Sequence, residues 1–304
     1  MMKNSSRSPG ILQRYIVKMT RILHNLKHPL QAVDSMLWMH KARWRRTYLD
    51  STVYDVGMHE GQDTAFYLKK GFRVIAIEAN RVLTDAAQRR FAPFVASGQL
   101  SILNVGIAAS ETAGDIEFFI NDRISEWSSF DRKIAGRKGS TVHSVFVPTS
   151  TLASVIARFG PAYFVKIDIE GYDAIALQSL LSTEPKPRYV SVENGNQGML
   201  GMLVAAGYDR FKYIQQRDLY KFRVTRPARE GRYAGHLFPR GASGPFGEET
   251  PGRWSSAEQI REEIAKIWDV DGTAKQQGHD DKTHGWFDLH ARHSGAPISD
   301  TGIS

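Results

Sequence analysis

Asp55-Val-Gly57-Met-His-Glu-Gly61 sets an acidic residue before two glycines four positions apart, directly after the apolar run Val53–Val56 and before a helix-like segment, Gln62–Lys70. A strand, a glycine turn and a helix start together make a cofactor cradle. Glycine lets the backbone approach a ligand and take φ values that other residues resist, and the unpaired N–H groups of the helix start face that ligand. The Gly-x-x-x-Gly spacing departs from the Gly-x-Gly-x-x-Gly of dinucleotide-binding turns. A second signal follows in register. Glu78 ends the β-branched run Arg73–Ile77, 21 residues after Gly57, where an acidic side chain can accept hydrogen bonds from ribose hydroxyls. The third is Val165-Lys-Ile-Asp168-Ile-Glu170-Gly171. Alternation along a strand predicts that Asp168 and Glu170 point to one side at its carboxyl end, where open α/β sheets bind ligands. A carboxylate there can take a proton from a hydroxyl nucleophile or hold a cation electrostatically. Helix capping and strand-end solvation are the plainer roles for the same pair.

These residues need a scaffold that brings several strand ends together. Strand patterns fall at Val53–Val56, Arg73–Ile77, Leu100–Val105, Tyr163–Ile169 and Tyr189–Glu193. Helix patterns fall at Gln62–Lys70, Arg81–Phe91, Thr151–Arg158, Asp173–Leu181 and Met199–Ala206. Alternation of nearly continuous apolar strands with helices predicts a doubly wound, Rossmann-like α/β sheet. Ile116–Ile120 and His143–Val147 interrupt it and read as an inserted β pair beside a loop over the site. Tyr208–Ile214 and Leu219–Val224 read as an antiparallel hairpin at a sheet edge. Ser255-Ser-Ala-Glu258 has the form of a capping box, and Ile260, Ile264, Ile267 and Trp268 continue it as one apolar helical stripe. Trp286-Phe287 is expected to anchor the chain again, and the last ten residues to fray.

The 304 residues are 41% hydrophobic and 24% charged, as in globular chains, and contain no cysteine, which excludes disulfides, thiol nucleophiles and thiolate metal sites. The net charge of +8 is unevenly spread. Residues 1–50 carry ten Lys/Arg against Asp34 and Asp50, so the remainder holds 30 of each sign. Leu12, Tyr15, Ile16, Met19, Ile22, Leu23 and Leu26 recur at helical spacing opposite Arg14, Lys18 and Arg21, predicting an amphipathic helix ended by Pro29. Its apolar face is expected to pack on the core or on another subunit, with attachment to an anionic membrane surface as the sharper reading. No run approaches a membrane span and no secretory signal is visible, so a cytoplasmic location, with peripheral membrane contact as a variant, is expected. The expected organisation is a basic helical extension over 1–49, a catalytic domain over 50–225, and an extension with one helix and a flexible tail over 226–304.

Four segments in order, Asp55-Val-Gly57…Gly61, Val74-Ile-Ala-Ile-Glu78-Ala-Asn80, Asn104-Val-Gly106-Ile-Ala and Val165-Lys-Ile-Asp168-Ile-Glu170-Gly171, resemble the FkbM family of S-adenosylmethionine (SAM)-dependent methyltransferases across residues 50–215. The resemblance implies a seven-strand sheet with the last strand antiparallel, and methylation of a hydroxyl on a sugar, polysaccharide unit or natural product. It implies that Asp55, Gly57 and Gly61 line the methionine part of the cofactor, that Glu78 binds ribose, that Asn104 lies near the adenine and that Asp168 lies at the methyl-transfer centre. The chain departs from the family pattern after the fifth strand, reading Ser191-Val-Glu193-Asn194-Gly195 where a His is more usual.

Other readings use the same residues. Asp168, Glu193 and Asn194 offer three oxygen ligands at adjacent strand ends, an arrangement suited to Mg²⁺, although no metal is expected on balance. A catalytically silent SAM-fold interaction partner would have no need of Asp55, Glu78 and Asp168 together. An RNA methyltransferase using the basic N-terminus is opposed by the neutral core, so nucleic acid is not the expected partner. Ser125–Lys133 reads as a substrate lid or a surface loop, His279-Asp-Asp281…His284 as a solvated linker, and Ser243–Glu249 as a segment able to fold over the site.

Overall fold

The computed structural model describes residues 48–111, 115–268 and 286–296. The N-terminal amphipathic helix, the His279–His284 cluster and the C-terminal tail lie outside them.

Eleven strands are present among the described residues: β1 (Thr52–Val56), β2 (Arg73–Ile77), β3 (Leu100–Leu103), β4 (Gly106–Ile107), β5 (Ile116–Asn121), β6 (Val142–Val147), β7 (Thr149–Ser150), β8 (Phe164–Ile167), β9 (Tyr189–Glu193), β10 (Arg210–Gln215) and β11 (Phe287–Arg292). Seven form one sheet in the order β3-β2-β1-β8-β9-β11-β10. β11 runs antiparallel to both neighbours, β9 and β10, while β1, β2, β3, β8 and β9 pair in parallel. Order reverses between β1 and β8, which places the ligand crevice at their carboxyl ends. β4 pairs with β7, and β5 with β6 as the expected inserted hairpin.

The helices are α1 (Gln62–Lys69), α2 (Arg81–Arg90), α3 (Ala92–Ala96), α4 (Arg132–Ala135), α5 (Leu152–Phe159), α6 (Asp173–Leu181), α7 (Gln197–Ala205) and α8 (Ala257–Ile267). Side-chain caps fix several starts. Asn80, Thr151 and Asn196 accept from Val82, Ser154 and Met199 N–H groups. The capping box of α8 is formed by Ser256 and Gln259, one residue later than its sequence form suggested. Ser255 is held extended instead, exchanging both backbone hydrogen bonds with Phe211.

The two sheet faces are covered differently. Alternate residues of the central strands, such as Tyr54, Val56, Val165, Ile167, Val190 and Val192, pack with residues of α5, α6, α7 and α8 in one apolar core. On the other parity lie Phe164, Lys166 and Tyr189. Here α1 supplies Phe66 and Tyr67, and an irregular strap, residues 226–254, takes the place of a second helix. Phe246 of the strap stacks on Phe164 with ring centroids 4.2 Å apart and planes at 3°, and contacts Tyr67 and Phe72 edge-on. The buried pair of Lys70 Nζ with Glu249 Oε1, at 2.8 Å, ties the strap to the end of α1.

Two expectations fail. The hairpin of Tyr208–Ile214 with Leu219–Val224 does not form, because the chain leaves β10 through a 3-10 turn, Gln216–Lys221, that buries Leu219 beneath the strap. β10 pairs instead with β11, which wedges between it and β9. The seventh strand therefore comes from beyond residue 225, where the sequence placed the end of the catalytic domain. Its signal was the six-residue alternation Phe287-Asp-Leu-His-Ala-Arg292.

Candidate active site

A cavity of about 390 Å³ opens at the carboxyl ends of β1, β2, β8 and β9. Its electrostatic centre is Lys166, a cation in an otherwise apolar strand and 3% exposed. Its ammonium lies 3.2 Å from Asp55 Oδ1, 3.5 Å from Asp168 Oδ2 and 3.7 Å from Asp63 Oδ2, and donates to Gly57 O at 3.0 Å. Burial works against its charge, but Asp55, Asp168 and Asp63 outweigh burial and push its pKa well above the usual value. Sequence reasoning passed over Lys166. The available signal was its position, since a lysine inside a doubly covered strand requires carboxylate partners.

On the β1–β2 side, Gly57 (φ +83°) is dictated by the neighbouring loop as much as by any ligand, for a Cβ there would stand 1.7 Å from the carbonyl oxygen of Asp168. Gly61 (φ +77°) caps α1 in the left-handed region, where a Cβ would meet the Phe91 ring at 2.7 Å. Glu78 projects into the cavity, its two carboxylate oxygens each accepting one backbone N–H, from His59 at 2.9 Å and Asn80 at 2.8 Å. Burial raises its pKa against those two hydrogen bonds. Each oxygen keeps further acceptor capacity for a vicinal diol. The Asn104 amide donates to the carbonyls of Glu78 and Ala79, at 3.0 and 2.9 Å, and fixes this turn.

The inserted hairpin closes one wall. Ser125 and Trp127 line the cavity, and Ser125 Oγ lies 2.8 Å from His59 Nε2. Arg137 grips Glu170 through two hydrogen bonds of 2.8 and 3.0 Å, while its guanidinium lies 4.4 Å from the centre of the Trp127 ring. Ser129 Oγ donates to Glu170 O at 2.7 Å. Glu170 is thus taken out of strand alternation, contrary to the expectation of a shared side with Asp168: β8 ends at Ile167 and Glu170 adopts φ +45°. His59 and Asn194, at φ +50°, are the other left-handed non-glycine residues at these strand ends. Such backbone strain gathers where surrounding structure overrides local preference, commonly at functional sites.

The β9 side is acidic. Glu193 lines the cavity beside Asp168, and burial, followed by the nearby Asp168 carboxylate, pushes its pKa well above the carboxylate range. Its neighbour in register on β11 is Asp288, fully buried and hydrogen-bonded by Gln216. Asp63 of α1 accepts the backbone N–H groups of Ser243 and Gly244 at 3.1 and 3.4 Å, and burial lifts its pKa to about 6. The start of the Ser243–Glu249 segment is thereby tied to a residue of the cavity wall, and Arg240 and Gly241 of the strap reach that wall with Gln216 and Trp286.

Of the residues singled out in the sequence, Gly57, Glu78 and Asp168 line the cavity, whereas Asp55, Gly61 and Asn104 stand behind it. Asp55 is fully buried and accepts the Thr64 hydroxyl at 2.5 Å together with Lys166. Asn194 does not line the cavity, and among the described residues no cluster of three or more His, Asp or Glu is arranged to hold a metal.

The site fits a nucleoside sulfonium ligand. Glu78 presents diol acceptors, Ile77, Ala79, Val105 and Ile107 give an apolar wall for a base, and Asp168 presents negative charge towards a cation. The family model described as "Methyltransferase FkbM domain" matches residues 55–209, just over half of the chain. No curated protein matches. Among solved structures, the chain is similar to the METTL16 MTase domain (12% identity, TM-score 0.33, covering 60% of this chain and 61% of that one). It is also similar to M. capricolum TrmK in complex with S-adenosyl-homocysteine (SAH; 11%, 0.35, 59% and 62%). A third is a TehB-like SAM-dependent methyltransferase from Corynebacterium glutamicum (9%, 0.32, 66% and 85%). The chain spans less than two thirds of the first two.

Proposed function

The chain belongs to the FkbM methyltransferase family, and we propose that it is a SAM-dependent methyltransferase acting on a hydroxyl oxygen of a sugar, polysaccharide unit or natural product. The observation that carries this reading is Asp168: a carboxylate on the cavity wall, 3.5 Å from the Lys166 ammonium and beside Glu193. SAM supplies a methyl group already activated on a sulfonium centre, so the protein has to align the acceptor and remove one proton.

Glu78 holds the ribose, with Asn104 fixing the turn that carries it. Gly57 forms the wall beside the methionine part. Asp55 acts from behind, holding Lys166, and Lys166 in turn sets the position of Asp168. Asp168 orients the acceptor hydroxyl and accepts its proton. Glu193, buried beside Asp168 with its pKa pushed well above the carboxylate range, steadies the Asp168 carboxylate. The Ser125–Trp127 turn screens the cavity from water.

Calorimetry with SAH, paired with label transfer from SAM into a pooled glycan and metabolite extract, tests this reading. Glu78→Ala is expected to weaken SAH binding by ~1.5–3 kcal/mol, the range for hydrogen bonds to a charged group. The transferred label should survive alkali as an ether. Recovery of the label in N-methyl groups would overturn the O-methylation reading.

A further inference from the structure

The cavity is acidic within and basic at one rim. Asp168, Glu170 and Glu193 face its interior, whereas Arg240 reaches it from the strap. The Arg240 guanidinium lies 4.8 Å from the centre of the Tyr220 ring, and Lys221 Nζ lies 5.4 Å from the same ring. Lys221 Nζ is paired with Asp218 Oδ1 at 2.7 Å, and Arg217 and Arg240 lie near enough to the same carboxylate to help hold its pKa down. Three exposed cations therefore share one acidic neighbour beside Gln216, itself a cavity residue. Residues 216–240 carry seven Lys/Arg against Asp218 and Glu230, and Glu230 is buried against Tyr163. The even balance of charge over residues 51–304 conceals this local excess, so the neutral core does not describe the surface at the cavity mouth.

Arg137 is committed to Glu170. Arg240 has no carboxylate within ion-pair distance among the described residues, and its planar fork stands held against Tyr220. We propose that Arg240, Arg217 and Lys221 form an anion subsite that receives a phosphoryl group of the acceptor, so that the substrate is a phosphorylated sugar. The Asp168 carboxylate disfavours such a group inside the cavity, and the cations at the rim hold it. The acceptor is thereby fixed in one orientation, anion outward and hydroxyl inward at Asp168. Several cations around a single carboxylate favour a multiply charged phosphate over a lone carboxylate, and arginine matches phosphate oxygens in pairs. Assigning this group to the acceptor rests on the function proposed above; the anion site itself does not.

The test is calorimetry of the full chain with inorganic pyrophosphate at low ionic strength, with SAH titrated into the same samples. Saturable pyrophosphate binding is expected, steeply weakened by salt and reduced about tenfold or more by Arg240→Gln, with a further loss on adding Lys221→Gln. SAH affinity should be unchanged in both variants, which reports that they are folded. Absence of pyrophosphate binding, or binding indifferent to Arg240→Gln, overturns the proposal. Glucuronate binding as tightly as pyrophosphate would overturn the phosphate assignment. A short oligoribonucleotide that binds far more tightly than pyrophosphate, and loses that binding in Arg240→Gln, would replace the sugar phosphate by nucleic acid. Failure of SAH to bind the wild-type chain would count against the methyltransferase reading and leave the pyrophosphate result standing.

Discussion

Lys166 shows how single residues at this site depend on one another. Asp55, Asp63 and Asp168 surround one ammonium, and removing one partner of a buried ion pair typically costs about 3–5 kcal/mol because the other is left uncompensated. Substitution of Lys166 would therefore mix loss of fold with loss of chemistry. Asp168 is the cleaner probe, being at the cavity surface with its side chain 27% exposed. Asp168→Asn keeps the shape and removes the charge. It is expected to retain most SAH affinity while lowering turnover ~10²–10⁴-fold, the usual contribution of a positioned base. Single-turnover methyl transfer measures this, and full activity in the variant would return Asp168 to a capping and solvation role.

At the scale of the element, the strap is core rather than appendage. Its Phe246 sits within a cluster formed by Tyr67, Phe72 and Phe164, pairs worth ~0.5–1.5 kcal/mol each beyond their buried area. The strap also buries Glu230, which accepts the Tyr163 hydroxyl at 2.6 Å and the Glu248 N–H at 2.9 Å. Burial lifts the Glu230 pKa from 4.5 to about 7. The folded state thus binds the proton more tightly than the unfolded chain. This contribution to stability is complete below about pH 4.5 and is lost as pH rises through about 7, reaching a penalty of about 3 kcal/mol in alkali. Glu230→Gln should remove that slope. Urea unfolding at pH 5 and pH 8.5 is expected to show the variant gaining on the wild type at the higher pH; parallel profiles would rule this out. The comparison must be a difference between proteins, because His236, pushed down to about 3 by burial, loses stability in the opposite direction, as pH falls below 6.5.

For the whole molecule, the sheet closes only when the chain returns. β11 hydrogen-bonds to β9 on one side and β10 on the other, so a chain ending at residue 225 would lack the strand between them and the strap over Phe164. Such a truncation is expected to lose cooperative unfolding and SAH binding together, measured by thermal melting and calorimetry. Retention of both would mean that the sheet can stand with an open seam. Among the described residues no helix is long and apolar enough to cross a membrane.

The sheet strands through β9, the glycine turn and the strand-end positions of Glu78 and Asp168 were legible along the chain, because these are local patterns: apolar runs, alternation, and acidic residues at fixed distances from a turn. The chosen helix limits held to within a residue or two for the same reason, since caps and apolar periodicity are short-range. What lay beyond local pattern was decided by tertiary structure. The Tyr208–Ile214 strand could be read, but its partner could not, because β11 lies more than 70 residues later and competes with a nearer segment that Leu219 draws under the strap. Glu170 left the alternation for Arg137, a residue 33 positions earlier. Asp55 and Asn104 carry readable motif positions, yet their side chains serve Lys166, Thr64 and the Glu78 turn. A buried charge or amide takes whatever partner the packed structure brings within reach, and which partner that is depends on strand order and loop docking rather than on spacing along the chain.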